Sequence, residues 1–235
     1  MSQSNLVNTT LYKTLISLGR ISKTGHAKRG ATIELDGNTA YLINEKHSLI
    51  LKVTSPTFLG TGTFCSSDAL SDAIRVQDRD GKVAFTVQSD GKEKTYLIPA
   101  EISIKEPCET ALSQYYAIND QNPGFDISNI LNDIDPDIIF STISAEGNII
   151  KLTQTRSDAS VRIETSTSIG KGFFKANIPP TGEVAIFTQD LVSLQPYLSR
   201  PINAVIIPNH PISISSTLCS CPVKGLITWL EYEDK

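Results

Sequence analysis

The chain carries one order of elements twice, and that repetition constrains its fold more than any single motif does. Asp36-Gly37-Asn38 and Glu146-Gly147-Asn148 occupy corresponding places in the two series, within ATIELDGNTAYLI and IIFSTISAEGNIIKLTQT. A Gly-centred turn between short runs rich in β-branched residues predicts a hairpin, because such turns need φ > 0. Ahead of the first turn, Leu11, Leu15 and Leu18 recur at helical spacing, with Asn8, Thr9 or Thr10 as cap; ahead of the second, Ile127, Leu131 and Ile134 do the same.

Behind each turn the order continues. Strands are predicted in SLILKV, Thr61–Phe64, KVAFTV and KTYLIPAEI, and again in SVRIET, FFKANI and EVAIF. Each series then holds one short amphipathic helix: DALSDAIR behind Ser66 and Ser67, and TQDLVSLQP behind Thr188. With the caps superposed, Leu191 and Leu194 match Leu70 and Ala73. Pro196 stops the second helix near Gln195, since proline has no N–H and clashes with the preceding turn. INAVII, PISISSTL and GLITWLEY are the last predicted strands. A duplicated domain follows, with boundaries at 1–104 and 114–235 and a connector at 105–113, where Pro107 cannot donate to a strand ladder.

Charge changes sign at the same place. Up to Lys105 there are 13 basic and 10 acidic residues, giving +3; from Glu106 there are 8 and 15, giving −7. No acid precedes Glu34, whereas Lys13, Arg20, Lys23, Lys28 and Arg29 fall in that span. Such a cluster reads as a solvated face or as a stripe facing phosphates.

Composition excludes several classes. In 235 residues, 40% hydrophobic and 20% charged, there is material for one large or two small cores and no sign of wholesale disorder. No apolar run approaches the roughly 18 residues needed to span a bilayer, and MSQSNLVNTTLYK lacks the pattern of a secretory signal. No membrane association and a cytoplasmic location are therefore expected. Cys219 and Cys221, one residue apart, have poor chelate spacing, and three scattered histidines add nothing, so no metal is expected. Gly60–Gly62 and Gly170–Gly172 lack the rest of a phosphate loop, and no nucleophile or metalloprotease motif occurs. The chain reads as a non-enzymatic protein without cofactor.

A duplicated α+β domain, with two helices packed on a curved antiparallel sheet in each copy, resembles the DNA sliding clamps. These ring-shaped processivity factors include proliferating cell nuclear antigen and the shorter clamps of tailed phages. LINEKHSLILKV is similar to the clamp segment in which a histidine-bearing turn enters an apolar strand. The run from LVSLQPYLSRPINAVIIPNHPISI to GLITWLEYEDK is similar to the helix, strands and acidic tail that end such clamps.

The resemblance implies a homotrimeric, ring-forming protein, phage-encoded and so in the host cytoplasm. It would encircle double-stranded DNA, be placed by a clamp loader and tether a DNA polymerase. It implies DNA contacts at Lys13, Arg20, Lys23, Lys28, Arg29, Lys151 and Arg200, although Asp126, Asp133, Asp135 and Asp190 oppose a uniformly cationic ring. It implies a partner-peptide pocket from Ile43, His47, Leu49 or Ile50, Pro211, and Leu230 or Tyr232, and a subunit interface pairing Tyr96 and Ile98 with Val161 and Ile163 of the next copy. Two other readings stand beside it: a β-rich viral structural or assembly protein, and a monomeric DNA-binding processivity subunit.

Overall fold

The computed structural model describes residues 7–21, 30–45, 47–119, 125–126, 149–154, 160–165, 172–175, 183–187, 194, 196–205 and 210–228. Helix α1 (Thr9–Ile21) starts at the expected cap: Asn8 Oδ1 accepts the Leu11 N–H at 3.3 Å. Its apolar face is Leu11, Tyr12, Leu15, Ile16 and Leu18, all buried. The hairpin β1 (Thr32–Gly37) and β2 (Thr39–Ile43) turns at Gly37 with φ +65°. Strand β3 (Leu49–Thr54) pairs with β2, and β4 (Gly60–Cys65) returns to β1.

A separate meander comprises β5 (Arg75–Arg79), β6 (Lys82–Ser89) and β7 (Lys92–Pro99). Its two tight turns, Asp80-Gly81 and Asp90-Gly91, place all four residues at positive φ, the backbone that Asp-Gly favours. Helix α2 (Lys105–Asn119) follows. Beyond it lie β8 (Phe125–Asp126), β9 (Ile149–Gln154), β10 (Ser160–Thr165), β11 (Gly172–Lys175), β12 (Glu183–Phe187), β13 (Leu198–Val205), β14 (Ile212–Leu218) and β15 (Cys221–Ile227).

One antiparallel sheet of eight strands, in the order β4-β1-β2-β3-β15-β14-β13-β8, runs through both halves of the chain. The joint is β3 with β15, in register from Leu49↔Ile227 to Val53↔Val223. A four-stranded sheet, β11-β10-β9-β12, stands apart from it. Strand alternation gives the large sheet two buried faces near the joint. Ala40, Leu42, Leu49, Leu51 and Val53 point into the main core with α1 and the β5–β7 meander; Tyr41, Ile43 and Ile50 point the other way, under α2. The α1 face and the α2 face are therefore opposite sides of one sheet.

The structure corrects three sequence expectations. DALSDAIR is not a helix: residues 66–74 form successive turns and β5 begins at Arg75. The carbonyls of Ser66, Ala69 and Leu70 accept from side chains on α1, as described below, and a two-turn helix has little stability of its own. The connector segment, for which no helix is predicted, forms one that continues past 113 to Asn119, with Pro107 in its first turn, where the missing N–H costs little. Strand β15 begins at Cys221 rather than Gly225, because Leu218↔Cys221 closes a two-residue turn with Cys219 and Ser220 at φ 49° and 64°. The helix predicted around Ile127, Leu131 and Ile134, and most of TQDLVSLQP, lie outside the described residues; Leu194 is helical and Pro196 already lies in a turn.

Candidate nucleic-acid and partner surfaces

The predicted cations do different things. Lys13 is exposed on α1, on the side turned away from the core. Arg20 is committed to structure: Nε–H donates to the Ser66 carbonyl at 3.2 Å and Nη2–H to the Ala69 carbonyl at 2.9 Å. The Tyr12 hydroxyl donates to the Leu70 carbonyl at 2.8 Å, and burial raises its pKa well above the ordinary phenol value. Together the two side chains pin the 66–70 segment to α1. Arg200 is exposed on β13, Lys151 lies on β9, and Lys23, Lys28 and Arg29 fall outside the described residues.

The predicted pocket residues divide in the same way. Leu49 belongs to the main core, so it is unavailable as a pocket wall, and Ile43 is 8% exposed beneath α2. His47, exposed at φ 56°, tops a turn closed by the buried Asn44 and Ser48. Asn44 Nδ2–H donates to Ser48 Oγ at 2.9 Å, and Asn44 Oδ1 accepts the Leu49 N–H at 3.0 Å. The Thr228 N–H donates to the Ser48 carbonyl at 2.8 Å, and Ile212↔Ile227↔Leu49 forms one row across β14, β15 and β3. One end of the joint thus gathers the His47 turn, Thr228 and the buried Pro211, with the His210 ring 6.0 Å from that of Tyr115. Leu230 and Tyr232 lie outside the described residues.

Helix α2 is the element the sequence reading missed. Cys108, Leu112 and Tyr116 follow at i, i+4 and i+8, a helical signal in KEPCETALSQYYAIN that Pro107 masked. The Glu34 carboxylate accepts from Ser103 Oγ at 3.0 and 2.9 Å, from Ile104 N–H at 2.6 Å and from Lys105 N–H at 2.8 Å, so a carboxylate from β1 caps α2. Lys105 Nζ lies 2.6 Å from Asp36 Oδ2, which holds the ammonium above its ordinary pKa.

Glu109 Oε1 accepts from Lys52 Nζ at 2.6 Å and from the Tyr41 hydroxyl at 2.5 Å. The Lys52 bond, then the Tyr41 bond, holds the Glu109 carboxyl below the usual range. Burial, followed by the nearby Glu34 and Glu109 carboxylates, pushes the Cys108 thiol up to about 12. At the far end of α2, the Tyr116 hydroxyl donates to the Ile214 carbonyl and accepts the Gly225 N–H at 3.1 Å.

The predicted subunit interface requires correction on one side. Among the described residues strand β7 has a neighbour only on its β6 side, and Tyr96 and Leu97 are 48% and 52% exposed; Ile98 packs partly on the core. Strand β10, which carries Val161 and Ile163, is paired on both sides, by β9 and β11. Its ladder is used up. The outermost strand on that side, among the described residues, is β11. Among the described residues no cluster of His, Cys, Asp and Glu could hold a metal ion, and no helix is long and apolar enough to cross a membrane.

No protein-family model matches the chain, and no curated protein matches it. Solved structures do. A chain of the PCNA2–PCNA3 complex of Sulfolobus tokodaii is 11% identical with a TM-score of 0.58, over 95% of this chain and 97% of that one. A protein described as a DNA polymerase III beta subunit, from Eubacterium rectale, is 12% identical with a TM-score of 0.59; the match covers 97% of this chain and 65% of that one. The proliferating cellular nuclear antigen of Entamoeba histolytica is 9% identical with a TM-score of 0.52, over 94% and 96% of the two chains. The fold is that of the DNA sliding clamps.

Proposed function

We propose that this chain is a sliding clamp: a non-enzymatic, phage-encoded processivity factor that encircles double-stranded DNA and tethers a DNA polymerase in the host cytoplasm. The observation that carries the reading is the one sheet shared by both halves, with α1 on one face and the connector on the other. In the proposed ring α1, with Lys13, faces the hole and partners take the opposite face. Three copies close the ring when the free edge of β7 pairs with β11 of the next copy, which removes an exposed edge that would otherwise invite uncontrolled pairing. A clamp loader opens that contact. DNA is then held by topology with weak, sequence-independent phosphate contacts. The polymerase docks by a short peptide at the end of the joint formed by the His47 turn, Pro211 and Thr228.

The test is topological. Protein loaded on nicked circular DNA should be lost when the circle is linearised. Retention unaffected by linearisation would overturn the ring and favour a monomeric DNA-binding subunit. Light scattering should give about 77 kDa, three times 25.6 kDa.

A further inference from the structure

Among the described residues, three two-residue turns hold both central residues at positive φ. Two of them, Asp80-Gly81 and Asp90-Gly91, use the pair this backbone favours. The third, between β14 and β15, uses Cys219-Ser220. Neither of these side chains suits the left-handed region, and strain of this kind collects where a turn serves a function. The turn sets two thiols on one side of the hairpin. Cys221 is buried in the main core, and Cys219 packs against that core while staying partly open to solvent. The Cys221 thiol points back at the turn and donates to the Cys219 carbonyl oxygen at 3.7 Å. On its other side the Cys219 sulfur meets the Thr14 hydroxyl of α1 at 3.4 Å. Residues two apart on a turning chain keep their Cα atoms below the extended limit of about 7 Å, within reach of the roughly 4.4–6.8 Å that a disulfide bridges.

We propose that Cys219 and Cys221 form a redox site that takes a hydroperoxide as oxidant and closes to a reversible disulfide within one chain. Cys219, the more accessible of the two, reacts first. Its sulfur attacks the peroxide, the O–O bond breaks, and the leaving oxygen departs with the thiol proton as water or an alcohol. The sulfur is thereby oxidised to a sulfenic acid and the peroxide reduced. The Thr14 hydroxyl is placed to donate to that sulfur as it ionises. Burial raises the Cys221 thiol, which keeps it protonated until the sulfenic acid forms beside it. The Cys221 sulfur then attacks Cys219: the S–S bond forms, the S–O bond breaks, and the hydroxyl leaves as water with the Cys221 proton. An external thiol reopens the bond by exchange. Closure draws the Cys219 sulfur away from Thr14, so the oxidation state of the hairpin is felt at α1. The site stands on the hairpin and its α1 contact alone and does not depend on the ring or on DNA.

The full-length, reduced protein would be treated with hydrogen peroxide near neutral pH, blocked with a maleimide in urea, and mapped by peptide mass without reduction. The peptide holding Cys219 and Cys221 should lose the two thiol hydrogens and take up no maleimide. Dithiothreitol should restore both thiols, while Cys65 and Cys108, which are buried, stay unoxidised throughout. In Cys221→Ala, Cys219 should stop at the sulfenic acid and be trapped by dimedone. In Cys219→Gly, where glycine accepts the turn backbone, Cys221 should oxidise at least about tenfold more slowly than Cys219 does in Cys221→Ala. Far-UV circular dichroism would show that each variant is folded, and the result on the parent protein needs neither variant. Sulfenic or sulfinic acid at Cys219 of the parent with no disulfide would overturn the proposal. So would a disulfide formed between two copies, or equal oxidation rates at the two cysteines in the single variants.

Discussion

Arg20 Nη2 on α1 lies 2.9 Å from the Ala69 carbonyl oxygen, and its Nε–H reaches the Ser66 carbonyl, so one guanidinium closes both ends of a turn. A residue that looks like a phosphate ligand in the sequence is thereby a brace between α1 and the 66–70 segment. Replacing Arg20 with Ala should cost about 1.5–3 kcal/mol, the usual loss for hydrogen bonds from a charged donor. Lys cannot reproduce the fork, so Arg20→Lys should recover little of it. Urea midpoints at constant m-value would check this; an Arg20→Ala protein as stable as the parent would return Arg20 to the DNA-facing set.

Lys13 should behave in the opposite way. It is exposed on α1 and makes no structural bond among the described residues, so Lys13→Ala should change stability by less than about 0.5 kcal/mol. Its effect should appear in DNA association, as a weaker dependence on salt, since one phosphate contact per copy is removed. Titration of DNA binding at several salt concentrations would show it, and an unchanged slope would exclude Lys13 from the interface.

These two residues also show what the sequence reveals and what it conceals. The face of α1, the Gly37 turn and the strands that follow were legible because periodicity and Asp-Gly turns act locally. The roles of Arg20 and Glu34 were not, because each depends on a carbonyl or an amide dozens of residues away. The short helix at 68–75 failed for a related reason: the segment is held in turns by Arg20 and Tyr12 on a distant helix, contacts its own residues do not announce. Pro107 argued only against a strand, and in the first turn of a helix it fits. Ile43 was placed at a partner surface from the clamp resemblance; only the fold reveals that α2 covers it.

Glu34 makes the cap of α2 directly testable. Glu34→Ala removes the acceptor for Ser103 Oγ and for the Ile104 and Lys105 N–H groups. It should cost about 1–2 kcal/mol, as losing a helix cap does. Glu34→Gln keeps one carbonyl oxygen as acceptor and should cost less. Hydrogen exchange would localise the loss: the amides at the start of α2 should lose protection before those of β14 and β15. Uniform loss along the chain would contradict the assignment of Glu34 as a cap.

The Lys52–Glu109 pair should be visible as a pH dependence. Glu109 has its carboxyl lowered in the folded state, first by Lys52 and then by Tyr41. A lowered folded value means the contribution is complete above the ordinary glutamate range and is lost as the pH falls through the lowered value. Both side chains are partly exposed, at 29% and 36%, so screening keeps the contribution below about 1 kcal/mol. Lys52→Met should therefore be less stable than the parent near pH 7, with the gap closing toward pH 3 and shrinking at high salt. A gap that is equal at both pH values would trace the loss to packing of the Lys52 stem instead.

Gly225 sits on β15 opposite Ile214 and beside Leu51 of β3, where the two halves of the chain meet. A Cβ there would lie 2.7 Å from Leu51 Cδ2 and 2.9 Å from Ile214 Cγ1, both side chains of the main core. Gly225→Ala should thus destabilise by about 1–3 kcal/mol through overpacking, although alanine alone suits a strand better than glycine. The cause can be separated from backbone effects by relieving the crowding. Leu51→Val removes a methylene from the nearest neighbour, so the double variant should cost less than the sum of the single ones, by about 0.5 kcal/mol or more. Strict additivity would mean that the glycine is required for something other than the close approach of β3 and β15.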